Sequence, residues 1–383
     1  MKVLHAAKFY PPVRGGMETV VRELAEGTSA DWDVSVVAAH DGRGTVVEER
    51  QGVRVVRASC WGASHSVPIC PSLPFHLWRA GPDCVVLHEP NPIAGSALFL
   101  RTPSPRLVIW HHSDLLRPSW APPTYGRLQA ALYRRADCVI VSSPNLAAAS
   151  PLVQRARRVA IVPFGVPLAR YRQHDRATLA AVEAIRLRVP GPRLLFVGRL
   201  VYYKGLHVLI EALTACRGTL MVAGHGPLEA ELRRQVAEKG LAERVVFLGR
   251  VSDEELPAYY QAADLFVLPS IAKTETFGVV QLEAMAAGRA VVSTNLPTGV
   301  PWVNQDGVSG LVVPPGDADA LAAALNRLMD DDALRERLSR NAAWRADTVF
   351  SRESMIGRFR HVIETIVRSP EQLESGLVNA TAS

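Results

Sequence analysis

The chain has little that would staple, anchor or load it with metal. Its five cysteines, at positions 60, 70, 84, 138 and 216 of 383, are odd in number and form no CxxC pair. Such spacing supports neither a disulfide framework nor a zinc site. Cys84 and Cys138 lie in apolar, strand-like runs and read as buried thiols. No apolar stretch reaches the roughly 18–20 residues of a membrane span. Lys8 interrupts the opening run Met1–Lys8, so no signal-peptide core forms there and a cytoplasmic location is expected. The G-x-G-x-x-G fingerprint is missing, which argues against an NAD-dependent oxidoreductase. Basic strands interleaved with aromatics are missing too, so no nucleic-acid partner is expected. There is no internal repeat and no low-complexity tract.

What remains is the balance of a soluble α/β protein: 48 % hydrophobic and 21 % charged residues. A chain of this length exceeds one ordinary core and predicts two domains. The net charge of +6 is uneven. Residues 1–165 carry 18 Lys and Arg against 12 Asp and Glu, whereas the remainder carries 25 of each. A basic face of this kind fits a phosphorylated acceptor or an anionic membrane, or is simply solvated.

Strand-like and helix-like runs alternate throughout, which predicts parallel sheets with crossover helices. Strands are expected at Val3–Ala7, Val34–Ala39, Val53–Ala58, Cys84–His88, Leu107–His111, Cys138–Ser142 and Val159–Val162, with helices at Met17–Gly27 and Tyr125–Arg135. A second series begins at Arg193–Val197. The seam falls near residues 163–192, in a polar helical linker. Cys60–Pro82, rich in Pro, Ser and aromatics, reads as a long loop. Trp344–Arg368 reads as one helix, and residues 371–383 as a disordered tail.

Chemistry concentrates in Glu275-Thr-Phe-Gly-Val-Val-Gln-Leu-Glu283. Two carboxylates bracket Gly278 at the head of an apolar helix that starts at Val279 and ends at Gly288. A helix head offers free amides and partial positive charge, which suits phosphate. The carboxylates sit roughly 8–12 Å apart along the axis and accept hydrogen bonds from hydroxyls. A sugar at Glu275, phosphates at the amides of Phe277, Gly278 and Val279, and a ribose at Glu283 would span that length. Arg199 and Lys204, within Gly198-Arg-Leu-Val-Tyr-Tyr-Lys-Gly205, add two cations at a strand-to-helix turn, where open α/β sheets bind ligands.

Other candidates carry two readings each. Gly15-Gly16 precedes a helix and lets backbone approach a phosphate or sugar, but a tight turn needs glycines too. Gly224 and Val251 follow strand-like runs and could line a base, or serve turns. His111 and His112 end a strand, where one of them could meet a sugar hydroxyl or a developing charge. Glu89 and Asn91 end another strand and are candidates for the acceptor. Asp317-Ala-Asp319 looks like a metal-binding DxD, but it opens a helix and N-capping explains it better.

Together these motifs resemble the retaining glycosyltransferases of GT-B architecture in family 4, over about residues 1–368. The resemblance implies two Rossmann-like domains facing across a cleft, 1–165 on the acceptor side and 166–344 binding the nucleotide-sugar. Residues 345–368 would cross back onto the first domain. It implies that Arg199 and Lys204 hold the diphosphate, Glu283 the ribose, and Glu275 with the amides of Phe277, Gly278 and Val279 the transferred sugar. His112 would be the cleft histidine. No metal or other cofactor is implied. The acceptor hydroxyl would give its proton to a donor phosphate oxygen in a front-face attack. Lys-Phe-Tyr-Pro-Pro at Lys8–Pro12, the His88–Pro92 segment and Gly299–Asn304 are similar to bacterial mannosyl- and rhamnosyltransferases of surface polysaccharides. That points to a GDP-sugar donor and a polyprenyl-diphosphate-linked or other glycan acceptor at the membrane face. A UDP-sugar donor and a catalytically silent scaffold subunit are the alternatives.

Overall fold

A computed structural model describes residues 1–13, 15–40, 42–64, 67–101, 105–114, 123–173 and 175–368. The expected tail at 371–383 lies outside these. The chain divides into two compact units, Met1–Phe164 with the stretch from Met355 onward, and Gly165–Ser354.

The first unit holds strands β1 (Lys2–Ala6), β2 (Asp33–Ala39), β3 (Val46–Arg50), β4 (Val53–Ala58), β5 (Ala63–Ser64), β6 (Val67–Pro68), β7 (Cys84–Glu89), β8 (Arg106–His111), β9 (Cys138–Val141) and β10 (Val159–Ile161). Eight form one sheet in the order β10-β9-β8-β7-β1-β2-β4-β3, while β5 and β6 form a small hairpin. All neighbours in the large sheet run parallel except β3, which pairs antiparallel with β4. β7 is buried along its whole length, as parallel strands covered on both faces are. β3 is largely exposed and carries Glu48, Glu49 and Arg50, charges that protect a sheet edge.

The helix Arg352–Arg368 completes this unit. It buries Met355, Ile356, Phe359, Val362, Ile363 and Ile366, the spacing of one helical face. The Phe359 ring meets His5, Trp32 and Trp110, with centroids 5.7, 6.0 and 5.8 Å away.

The second unit holds β11 (Arg193–Val197), β12 (Thr219–Ala223), β13 (Val245–Gly249), β14 (Leu265–Leu268), β15 (Ala290–Thr294) and β16 (Gly310–Val313). All are parallel, in the order β13-β12-β11-β14-β15-β16. Chain direction across the sheet reverses between β11 and β14. In the first unit the same reversal lies between β1 and β7. Each unit is therefore a Rossmann-like layer, and open sheets of this kind bind ligands at the carboxyl ends of the strand pair where the order reverses.

Three expectations need correction. The loop read over Cys60–Pro82 contains the β5–β6 hairpin and the helix Leu73–Arg79. Seven residues with a proline in the first turn are too few to display a period. The polar linker is part of the second unit: its helix Arg176–Arg188 buries Val182 and Ile185, and Arg186 donates to Gln261 O. The single helix Trp344–Arg368 is two, Asp332–Val349 and Arg352–Arg368. They break because Phe350 O and the Arg352 amide bond to Val166 instead of to the helix, and the Phe350 ring packs on Phe277 and Trp302.

All five cysteines are free, and Cys84 and Cys138 are fully buried. Phe359→Ala should destabilise the first unit by about 3–5 kcal/mol, the usual cost of emptying a buried aromatic site. Urea unfolding followed by Trp32 and Trp110 fluorescence would measure it. An unchanged midpoint would mean that the last helix adds nothing to this core.

Candidate active site

In the second unit, backbone packs on backbone at the carboxyl ends of β11, β12 and β14. Gly198 N donates to Ala223 O at 3.0 Å, and Leu200 N to His225 O at 3.0 Å. Gly224, at φ +139°, cannot carry a side chain, because a Cβ would collide with the Gly198 carbonyl. The turn Tyr202–Lys204 ends at Gly205, at φ +68°, where a Cβ would strike Pro269 O. Tyr203 O in turn accepts from Ile271 N at 2.8 Å, tying this turn to the exit of β14.

That contact brings Lys204 to Glu275. Lys204 Nζ stands 2.5 Å from Glu275 Oε2, and Ser270 Oγ donates to the same oxygen at 2.9 Å. Thr294 Oγ1 donates to Ser270 O at 2.5 Å and holds it in place. The two charged side chains are only 11 % and 10 % exposed. The sequence reading put Lys204 on the diphosphate and Glu275 on the sugar; the structure joins them in one pair. Glu275 Oε1 has no partner among the described residues.

Arg199 is exposed and has no acidic partner among the described residues. It lines a cavity of about 180 Å³ with Gly198, Gly224, His225, Arg250 and Val251. Three residues singled out separately in the sequence, Arg199, Gly224 and Val251, thus share one wall. Arg250 Nη2 lies 2.9 Å from His225 Nε2, which adds a second guanidinium to the mouth.

The helix Val279–Ala286 begins at Gly278, at φ +68°. The first amides of a helix have no carbonyl of their own helix to bond. Phe277 offers only backbone, since its ring is 1 % exposed and packs on Trp302 and Phe350. Glu283 is less open than expected. Its Oε2 accepts from the Tyr260 hydroxyl at 2.6 Å, and Tyr260 in turn packs edge-on against Tyr171. Burial raises the Glu283 carboxyl above its ordinary range, opposed by the tyrosine hydroxyls and Arg170. Asp317 caps the helix Ala318–Asp330 by accepting from Ala320 N at 2.9 Å, the capping role read from its position.

In the first unit, alternation along the strands sorts the polar groups onto two faces. His112 Nε2 bonds to His88 Nδ1 at 3.0 Å, on the Phe359 side. His111 points the other way, its Nδ1 2.7 Å from the Tyr133 hydroxyl. Burial holds His112 down to about 3 and His111 to about 4. His111 Nε2 is enclosed with no hydrogen-bond partner among the described residues, Asp114 Oδ1 lying 3.8 Å away, whereas His112 Nδ1 is not enclosed. Of the two, His112 is the one that can meet a ligand.

Glu89 and Asn91 are 1 % and 4 % exposed. Asn91 caps the helix Pro92–Leu100 through its side-chain oxygen, which leaves Nδ2 unbonded. Glu89 Oε2 accepts from Asn91 N and Gln129 Nε2, both at 3.2 Å, and Oε1 has no hydrogen-bond partner among the described residues. Gly15 caps the helix Gly16–Thr28 in extended backbone. A Cβ there would meet only the Glu18 carboxylate, and one on Gly16 would meet nothing within 4 Å. Neither glycine adopts the left-handed backbone that would demand it; the space beside Gly16 is open, while the Glu18 carboxylate fills that beside Gly15.

Known proteins resemble this chain over its whole length. Residues 181–345 match the model for glycosyl transferases group 1, and residues 15–165 that for a glycosyl transferase 4-like domain. O-antigen chain mannosyltransferase C of Escherichia coli is 32 % identical, covering 96 % of this chain and 100 % of that one. The chain belongs to the group 1 glycosyltransferases.

D-rhamnosyltransferase WbpZ of Pseudomonas aeruginosa is also 32 % identical, over 92 % of both chains. Among solved structures, sucrose-phosphate synthase of Thermosynechococcus elongatus superposes with TM-score 0.77 at 24 % identity, covering 95 % of this chain and 98 % of that one. Anabaena HepE, in complex with UDP and glucose, gives 0.75 at 23 %, covering 95 % and 100 %. These likenesses establish the GT-B fold. This glycosyltransferase adds polar groups that sequence reasoning had left out: Ser270 and Thr294 behind Glu275, Tyr260 on Glu283, and Gln129 on Glu89.

Burial pushes Glu89 up to about 7 against the pull of Asn91 N–H and Gln129. A raised folded pKa means that this group's share of stability is full below its ordinary value of 4.5 and is lost as pH rises through about 7. The wild type should lose roughly 2–4 kcal/mol from this source between about pH 4.5 and 8. Glu89→Gln should flatten that slope in urea melts. Parallel profiles for the two proteins would show that the carboxyl is ionised throughout.

Proposed function

We propose that this glycosyltransferase moves a mannosyl or related hexosyl group from a GDP-sugar to a growing, lipid-linked glycan, with retention and without a metal. The observation that carries the reading is the Lys204–Glu275–Ser270 cluster at the strand ends of one sheet, together with Arg199, which lines a cavity at the ends of the same sheet and has no acidic partner among the described residues. Arg199 and Lys204 neutralise the diphosphate as its bond to the sugar breaks. Glu275 Oε1 accepts from a sugar hydroxyl, aligned by Lys204 and Ser270. The amides of Phe277, Gly278 and Val279 hold the sugar and its phosphate, Glu283 binds the ribose, and Gly224 and Val251 flank the base. Gly15 and Gly16 let backbone approach the donor, His112 bonds a hydroxyl or a developing charge, and Glu89 and Asn91 serve the acceptor. The acceptor oxygen bonds to the anomeric carbon on the face the diphosphate leaves, and its proton passes to a phosphate oxygen. The names of the E. coli and P. aeruginosa relatives support the sugar and the polysaccharide setting. Among the described residues no three His, Cys, Asp or Glu side chains are grouped to hold an ion.

Thermal shifts with GDP and UDP, then transfer from GDP- and UDP-sugars to a polyprenyl-diphosphate-linked glycan read by mass, test the donor. A larger shift and faster transfer with UDP would replace GDP; tight binding with no transfer or hydrolysis would revive the scaffold reading. Glu275→Gln should lower kcat at least about 100-fold with nucleotide affinity unchanged. Lys204→Met should weaken both. Equal loss of affinity in the two variants overturns the division of roles.

The membrane face of the reading rests on the first unit. Among the described residues no helix is long and apolar enough to cross a membrane. Trp61, Phe75 and Trp78 are nevertheless 72, 56 and 46 % exposed, with Arg79 one residue past Trp78. Interfacial aromatics beside cations suit an anionic bilayer surface. The protein should float with vesicles containing anionic lipid and not with neutral ones, and Trp61→Ser with Phe75→Ser should reduce flotation. Equal recovery of wild type and variant refutes this surface.

A further inference from the structure

Three histidines, two on neighbouring strands and one just past the end of a third, form one hydrogen-bonded chain inside the first unit. His5 on β1 bonds through Nδ1 to His88 Nε2 at 3.0 Å, and His88 on β7 bonds through Nδ1 to His112 Nε2 at 3.0 Å. Consecutive rings are stacked, with centroids 5.3 Å apart in both pairs. His5 and His88 are wholly buried and His112 is 6 % exposed. Trp110 stacks on His88 and His112, Phe164 on His112, and Phe359 lies beside His5. Burial in this aromatic surround keeps all three imidazoles neutral, with His5 and His112 held down to about 3 and His88 well below its ordinary value.

A neutral imidazole has one N–H and one lone pair. Two such bonds in series therefore admit two arrangements, and choosing one proton places the rest. In the first, His5 Nδ1–H donates to His88, His88 Nδ1–H donates to His112 Nε2, and His112 keeps its own proton on Nδ1. In the second every bond reverses, and His5 must carry its proton on Nε2. That atom is buried with no hydrogen-bond partner among the described residues. The Phe359 ring does not receive such a proton, because the two planes tilt by only 38° and an in-plane N–H passes beside the ring face. Orphaned buried N–H groups are rarer in proteins than under-satisfied acceptors, so the first arrangement is preferred. The far end does not decide the matter, since His112 Nδ1 is not enclosed and has no partner among the described residues.

We propose that His5 and His88 lock His112 in the Nδ1–H tautomer, so that it meets its ligand as a neutral hydrogen-bond donor and not as a base. The functional part rests on the reading that His112 serves the transfer. A donor at Nδ1 bonds a hydroxyl or phosphate oxygen. A base would need that lone pair, and the only one left is committed to His88. His5 and His88 are then positioning residues. They touch no substrate and act through the ring they orient.

Long-range proton–nitrogen correlation spectra of protein labelled with nitrogen-15 histidine report which ring nitrogen carries each proton. In the wild type His112 should be protonated on Nδ1 alone, unchanged from about pH 5 to 8. A proton on Nε2, or an imidazolium in that range, overturns the proposal without any variant. His88→Leu should release His112 into mixed tautomers, with titration near neutral pH. Its kcat should fall at least about tenfold at unchanged donor KM. His88→Gln, whose amide offers one donor and one acceptor, should restore both tautomer and rate. An unchanged His112 tautomer in His88→Leu refutes the lock. A wild-type rate in His112→Ala, with the Nδ1–H signal present in the parent, would instead refute the transfer role and leave the lock standing.

Discussion

The approach of Gly224 to the Gly198 carbonyl sets the geometry of the second unit's crevice. With a side chain there, the loops leaving β11 and β12 could not share their hydrogen bonds. Gly205 against Pro269 does the same for the loops leaving β11 and β14. Lys204 and Glu275 lie 71 residues apart in sequence, and this double seam makes them neighbours. An ion pair so nearly buried is weak evidence for stability, because desolvation offsets much of its Coulomb gain. Its value is positional. The cation is held against one oxygen of Glu275 and leaves the other without a hydrogen-bond partner among the described residues.

The two units handle charge in opposite ways at equivalent places. At the carboxyl ends of the second sheet stand Arg199, Arg250 and the ion pair Lys204–Glu275, with only Glu283 on the following helix pushed up by burial. At those of the first sheet burial drives the titratable groups toward neutrality, with the histidines held down and Glu89 pushed up. Bulk composition runs the other way, since the basic excess belongs to residues 1–165 and the remainder is balanced. Net charge describes the surface that a partner approaches, and burial decides the polarity of the site.

Legibility followed period and local chemistry. The alternating β and α runs gave the doubly wound layers, because parallel strands are short apolar runs separated by amphipathic helices. Helices Pro92–Leu100 and Pro144–Ala149 escaped because they are short and largely apolar, which leaves no stripe to detect. β3 escaped because an exposed edge strand has no buried face. Arg199, Lys204, Glu275 and Glu283 were readable as donors and acceptors near strand ends. The partners of Glu275 and Glu283 were not, since Ser270, Thr294 and Tyr260 carry no signal until the strands are aligned. The same holds for the histidine chain. His5 and His88 are 83 residues apart, and only the parallel pairing of β1 with β7 makes them adjacent.

Taken with the proposed chemistry, these arrangements leave the crevices poor in bases. His112 has its lone pair tied to His88 under the tautomer proposed above, and His111 is enclosed beside Tyr133. Burial pushes Glu89 up to about 7, and Glu275 is paired with Lys204. A double displacement on a protein nucleophile would need a carboxylate free to attack the anomeric carbon; Glu89 is buried, and Glu275 is held by Lys204 and Ser270 through one oxygen, its other oxygen being the one assigned above to a sugar hydroxyl. What the residues do provide is cationic charge for a leaving diphosphate and neutral donors for oxygen. That combination fits a transfer in which the departing phosphate itself takes the acceptor's proton, and in which the protein's work is placement and electrostatic complementarity.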